Sequence, residues 1–79
     1  MTTSWIERNI KPVMQSEAAD VVNDVRSYVS KYSDHDGATL SEETIWRSYE
    51  RANSDGTPAT IRDVGDRMIA MLEKSAETA

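Results

Sequence analysis

The clearest pattern in the chain is the stretch SEAADVVNDVRSYVSKY at residues 16–32. Its apolar side chains recur every three or four residues, which places them on one face of an α-helix. They are Ala18, Val21, Val22, Val25, Tyr28, Val29 and Tyr32. Ser16 provides an N-cap, and Glu17 and Asp20 complement the positive end of the helix dipole. The stretch therefore predicts a helix with one buried face and an exposed face formed by Asp24, Arg26, Ser27 and Lys31.

A shorter helix is predicted before this stretch, within residues 1–12. Ser4 and Glu7 have the spacing of a capping box, and Pro12 ends the helix because proline disfavours the helical conformation of the residue before it. The apolar residues of this segment are Trp5, Ile6 and Ile10. We expect them to fold back onto the core, and the alternative is that Trp5 docks on another molecule or forms a homodimer contact.

Two further helices are predicted after residues 33–37. Ser41 caps the first, with Leu40 stapled onto Ile45. Its inward residues are Ile45, Trp46, Tyr49 and Ala52, and its outward residues are Arg47, Glu50 and Arg51. A cluster of turn formers at residues 53–58 separates it from a last helix that runs from Thr60 to about Ser75.

The last helix carries a buried stripe of Ile61, Val64, Met68, Met71 and Leu72. Thr60 and Asp63 form a weaker capping pair at its start. Gly65 lies within it at a cost of about 1 kcal/mol relative to alanine, so another backbone is expected to come close there. Residues 76–79 are expected to fray. The resulting fold class is all-α, with a three-helix core over residues 16–75 and an additional short N-terminal helix.

Composition excludes several classes of protein. The chain has 79 residues, a formal net charge of −5 at pH 7, no cysteine and one histidine, His35. A chain of this length holds one small core, and no apolar run approaches the roughly 18 residues that span a membrane. Residues 34–37 fail the spacing of a calcium loop and predict a turn. With no catalytic signature and no cofactor fingerprint, we expect a non-enzymatic cytoplasmic domain without metal or cofactor.

The order of helices resembles the three-helix core of helix-turn-helix and winged-helix domains. The resemblance rests on a valine-rich helix, a Leu-Ser-Glu-Glu helix with a Trp and a Tyr, a Thr-Pro turn and a final Thr-Ile-Arg-Asp-Val helix. Residues 45–49 are also loosely similar to winged-helix modules of phage and plasmid primase-helicases. We expect no wing, because only a handful of residues follow the predicted last helix.

This resemblance implies a DNA-binding module for transcription or replication control in a phage, plasmid or microbial host, with its third core helix in the major groove. The implied contacts at the groove are Thr57, Thr60, Arg62 and Arg67, and the implied backbone contacts are Arg47 and Arg51. The alternative is that Arg62 pairs with Asp66 and Asp63 with Arg67, each four residues apart. The charged face of the last helix would then be an ordinary solvent-exposed surface and not a DNA contact.

The uneven distribution of charge supports a second hypothesis. Residues 13–45 have a formal sum of −5, whereas residues 46–74 are neutral overall. The alternative function is therefore an acidic protein-binding module that engages a basic partner, for example by mimicking the charge of DNA. The residues expected to form that surface are Glu17, Asp20, Asp24, Glu42, Glu43 and Trp5.

Overall fold

The computed structural model describes residues 4–54 and 59–78, and it shows an all-α fold. The helices are α1 (Trp5–Asn9), α2 (Pro12–Tyr32), α3 (Glu42–Asn53) and α4 (Ile61–Thr78), with a 3₁₀ helix at Gly37–Thr39 between α2 and α3. This confirms the predicted three-helix core with an additional short N-terminal helix. The predicted turn at residues 53–58 falls largely outside the described residues.

Local capping signals set most of the helix starts. The hydroxyl of Ser4 accepts the Glu7 backbone N–H at 3.2 Å, and the hydroxyl of Ser41 accepts that of Thr44 at 3.1 Å. Thr60 and Asp63 form the predicted pair. The Thr60 hydroxyl accepts the Asp63 backbone N–H at 3.1 Å, and the Asp63 carboxylate accepts the Thr60 backbone N–H at 3.3 Å. These three caps confirm the predicted starts of α1, α3 and α4.

The start of α2 and the end of α4 differ from the prediction. Helix α2 begins at Pro12, so Ser16 is an interior residue and not its cap. Proline is well suited to the first helical position, because the N–H that it lacks has no helical partner there and its φ is already helical. Helix α4 continues to Thr78, so residues 76–78 extend the helix beyond the predicted end at Ser75.

A mostly aliphatic core lies where α2, α3 and α4 meet, and α1 covers one end of it. Its members are Ile6, Ala18, Val21, Val22, Val25, Val29, Leu40, Ile45, Trp46, Val64 and Met68. Trp5 is half-buried and packs against this cluster, as expected for a helix that folds back. The backbone N–H of Ile6 also donates to the Glu42 carboxylate at 3.3 Å, which ties α1 to the first turn of α3.

Three side chains lie in different surroundings from those predicted. Tyr32 and Met71, both expected in buried stripes, are 59% and 41% exposed, because each lies near the edge of the helix packing. Arg26, expected on the exposed face of α2, is half-buried. Its guanidinium donates two hydrogen bonds to the Leu40 carbonyl, at 3.1 and 2.6 Å. Burial of this arginine is possible because the Leu40 carbonyl, at the end of the 3₁₀ helix, provides an acceptor.

The connection between α2 and α3 is tied down along its length. The Ser30 hydroxyl accepts the Gly37 N–H at 2.8 Å, and the Asp36 carboxylate caps the 3₁₀ helix by accepting the Ala38 N–H at 2.9 Å. Gly37 is buried against the backbone of Arg26, so closely that a Cβ atom would overlap it. This confirms the turn predicted at residues 34–37 and gives Asp36 a structural role.

Gly65 also marks a close approach, but the neighbour is not the one predicted. The aromatic ring of Tyr28 lies against Gly65, whereas the sequence had suggested another backbone. The Tyr28 hydroxyl donates to Asp66 at 2.7 Å, one residue further along α4. Gly65 therefore allows α4 to pack closely on a side chain of α2.

Candidate nucleic-acid interface

Three of the predicted arginines line one groove between α3 and α4. We call this the arginine groove; it has a cavity volume of about 400 Å³. Its lining residues are Thr44, Arg47, Ser48 and Arg51 of α3 and Arg67, Met68 and Met71 of α4. The α3 residues have the spacing i, i+3, i+4 and i+7, so one face of that helix forms one wall. The groove is thus lined by three arginines, two hydroxyl-bearing side chains and two methionines.

The arginines of this groove differ in their partners. Arg47 forms an ion pair with Glu43, at 2.9 Å between Nε and Oε2. Within residues 4–54 and 59–78, Arg51 and Arg67 have no carboxylate within ion-pair distance. The predicted pair of Asp63 with Arg67 does not form, because the Asp63 carboxylate caps the start of α4 instead. Two guanidinium groups are therefore available to an anion in the groove.

Arg62 lies on a different side of α4 from Arg67. Five residues separate them, which corresponds to about 140° around a helix at 3.6 residues per turn. Arg62 instead reaches the Asp66 carboxylate at 3.9 Å, as predicted, next to the hydroxyl of Tyr28 on α2. Both partners are largely exposed, so this ion pair contributes little stability.

Of the remaining predicted DNA contacts, Thr60 and Arg62 do not line the arginine groove. The Thr60 hydroxyl is used as the cap of α4, where it accepts the Asp63 N–H. Thr57 lies outside the described residues. The structure therefore brings together Arg47, Arg51 and Arg67 from the predicted set, and it adds Thr44, Ser48, Met68 and Met71, which the sequence had not singled out for this role.

The residues of the alternative acidic surface are not gathered in one place. Glu42 holds α1, and Glu43 pairs with Arg47. Asp20 and Asp24 are exposed on α2. Glu17 lines a second groove, formed with α3, and Trp5 lines a smaller one with Asn9, Ile10, Trp46, Arg47 and Glu50.

Tyr28 shows a clear electrostatic perturbation. The hydrogen bond that its hydroxyl donates to Asp66 raises the pKa of Tyr28 above 10.0, and burial and the negative charge of Asp66 act in the same direction. This contact stabilises the packing of α2 on α4 and lies outside the arginine groove. In the described residues, no group of three or more histidine, cysteine, aspartate or glutamate side chains is arranged to hold a metal ion.

Comparison with known protein families, with curated proteins and with solved structures found no match for this chain. The resemblance to helix-turn-helix and winged-helix domains therefore stays a prediction. Among the helices of the described part of the chain, none combines the length and the apolar character that crossing a membrane requires.

Proposed function

We propose that this domain binds DNA through the arginine groove and acts without catalysis in the control of transcription or replication. The observation that supports the proposal is the convergence of Arg47, Arg51 and Arg67 on one groove. Arginine is well suited to phosphate because its planar guanidinium can donate two parallel hydrogen bonds. The hydroxyl of Ser48 adds a further donor of the kind that contacts phosphate oxygens.

The net charge of −5 does not prevent such binding at physiological salt. At about 0.1 M ionic strength the Debye length is about 10 Å, so carboxylates further than this from the phosphates are largely screened. The local balance of charge then matters more than the total. In the arginine groove that balance is positive, because the carboxylate of Glu43 offsets only Arg47.

The test is a fluorescence anisotropy titration of a labelled random duplex at several salt concentrations. Three phosphate contacts predict a slope of about −2.7 in a plot of log K against log salt, since each contact contributes about −0.9. The double variant Arg51→Ala/Arg67→Ala should reduce the slope to about −0.9 and weaken binding at low salt.

The matched control is Lys31→Ala/Arg62→Ala, which removes the same charge from the side of the molecule where α2 meets α4. It should bind almost as tightly as the unmodified protein. If the two double variants weaken DNA binding equally, the protein is attracted to DNA only by its general charge. That result would contradict binding at the arginine groove. No binding at about 50 mM salt, where phosphate contacts are strong, would reject DNA as the ligand.

A further inference from the structure

A second groove lies between α2 and α3, and it shares no lining residue with the arginine groove. We call it the aromatic groove; it has a cavity volume of about 360 Å³ and is lined by Met14 and Glu17 of α2 and by Trp46, Tyr49, Glu50 and Asn53 of α3. The rings of Trp46 and Tyr49 stack with their centroids 5.1 Å apart. Of the apolar lining, Met14 is 38% exposed and Tyr49 is half-buried, whereas Trp46 is 3% exposed. The groove therefore presents apolar surface to solvent.

Two carboxylates border this apolar surface. Glu17 comes from α2 and Glu50 from α3, and neither has an ion pair or a hydrogen bond from its side chain within residues 4–54 and 59–78. No basic side chain of the described residues lines the groove. Its local charge is thus negative, opposite in sign to that of the arginine groove, so a polyanion would be repelled from it.

We infer that the aromatic groove is a docking surface for an amphipathic, lysine- or arginine-bearing segment of a partner protein. The apolar side of such a segment would cover Met14 and the edge of the Trp46 and Tyr49 stack. Its cationic groups would reach Glu17 and Glu50, and a guanidinium or ammonium group gains further from the face of an aromatic ring. Charge complementarity combined with apolar surface favours this partner over nucleic acid and over an acidic protein.

The position of the groove is well defined by the fold. The side-chain oxygen of Asn53 accepts the Ala59 N–H at 2.7 Å, which fixes this residue at the end of α3. Trp46 is only 3% exposed and anchors the aromatic stack in the core. Contacts within the fold thus anchor the α3 wall of the groove at Trp46 and Asn53.

The experiment uses a fluorescein-labelled peptide of leucine and lysine arranged at helical spacing, titrated with the full chain and followed by anisotropy. The double variant Glu17→Gln/Glu50→Gln should weaken binding about tenfold, which corresponds to about 0.7 kcal/mol for each of the two exposed charge pairs. The control Asp34→Asn/Glu73→Gln makes the same change of charge at exposed positions away from the groove and should leave the affinity unchanged. Thermal melts should show that both variants are folded.

Three results would overturn the inference. Equal weakening by the two double variants would mean that the peptide responds only to the total charge. Equal binding of a leucine and glutamate peptide would show that apolar contact alone drives docking. Sedimentation that reveals a dimer disrupted by Glu17→Gln/Glu50→Gln would assign the groove to a second copy of the chain. The DNA titration is a separate measurement, so the two proposals can fail independently.

Discussion

The substitution Gly65→Ala should destabilise the protein when residue 28 is tyrosine and stabilise it when residue 28 is alanine. Alanine is better than glycine in a helix interior by about 1 kcal/mol, so by propensity alone the substitution is stabilising. In the folded protein, however, the new Cβ would lie 2.8 Å from Cε1 and 2.9 Å from Cγ of Tyr28, well inside ordinary van der Waals contact. Either the ring or the helix must move.

Movement of the ring is restricted. Cγ of Tyr28 is close to its own backbone, the hydroxyl is held by Asp66 at 2.7 Å, and the ring lies 4.6 Å from that of Tyr32 between centroids. Overpacking of this kind costs about 1–3 kcal/mol. Offset by the gain in propensity, Gly65→Ala should lower the free energy of unfolding by about 1 kcal/mol, or the melting temperature by about 4–8 °C in a domain of this size.

In a Tyr28→Ala background the obstacle is absent. There Gly65→Ala should raise the free energy of unfolding by about 1 kcal/mol, so the coupling between the two sites is about 2 kcal/mol. Urea unfolding of the four proteins, followed by far-UV circular dichroism, measures this cycle. Ala70→Gly at an exposed position of α4 calibrates the propensity term. If Gly65→Ala stabilises both backgrounds equally, the close packing of Tyr28 on α4 is refuted.

Two other predictions concern Tyr28 and Trp46. The pKa of Tyr28 is raised in the folded protein, chiefly by its hydrogen bond to Asp66. This contact therefore contributes its full stabilisation below pH 10.0, and the stabilisation is lost as the pH rises through the folded-state pKa. Asp66→Asn should bring that pKa back towards 10.0 in an NMR titration of labelled tyrosines, and an unchanged pKa would contradict the assignment. Trp46→Ala should cost about 3–5 kcal/mol, enough to unfold a small domain, because Trp46 is 3% exposed in the core. A thermal melt that is unaffected by this substitution would place Trp46 on the surface, and half-buried Trp5 provides the comparison.

Much of the fold could be predicted because its signals are local. The caps at Ser4, Ser41 and Thr60 each depend on an acceptor three residues before the N–H that it satisfies, so sequence spacing alone reveals them. The aliphatic stripe of α2 follows from the helical period. By contrast, the burial of Arg26 depends on the Leu40 carbonyl, 14 residues away, and no local pattern indicates that contact.

The candidate site was predictable in part for the same reason. Arg47 and Arg51 are four residues apart, so their common face follows from the helical period. Which of Arg62 and Arg67 would face α3 depends on the rotation of α4 about its axis, and that rotation is set by the packing of Tyr28 on Gly65. The aromatic groove was missed because Pro12, expected to end α1, begins α2, so that Met14 is helical and lies beside Glu17.

Helix α3 forms a wall of both grooves, with Arg51 on one side and Tyr49 and Asn53 on the other. An α-helix with its side chains is about 10–12 Å across, so molecules seated in the two grooves would be separated by a single helix at a set orientation. The helix would then act as a rigid spacer, and the two molecules would be brought together without any flexible linker.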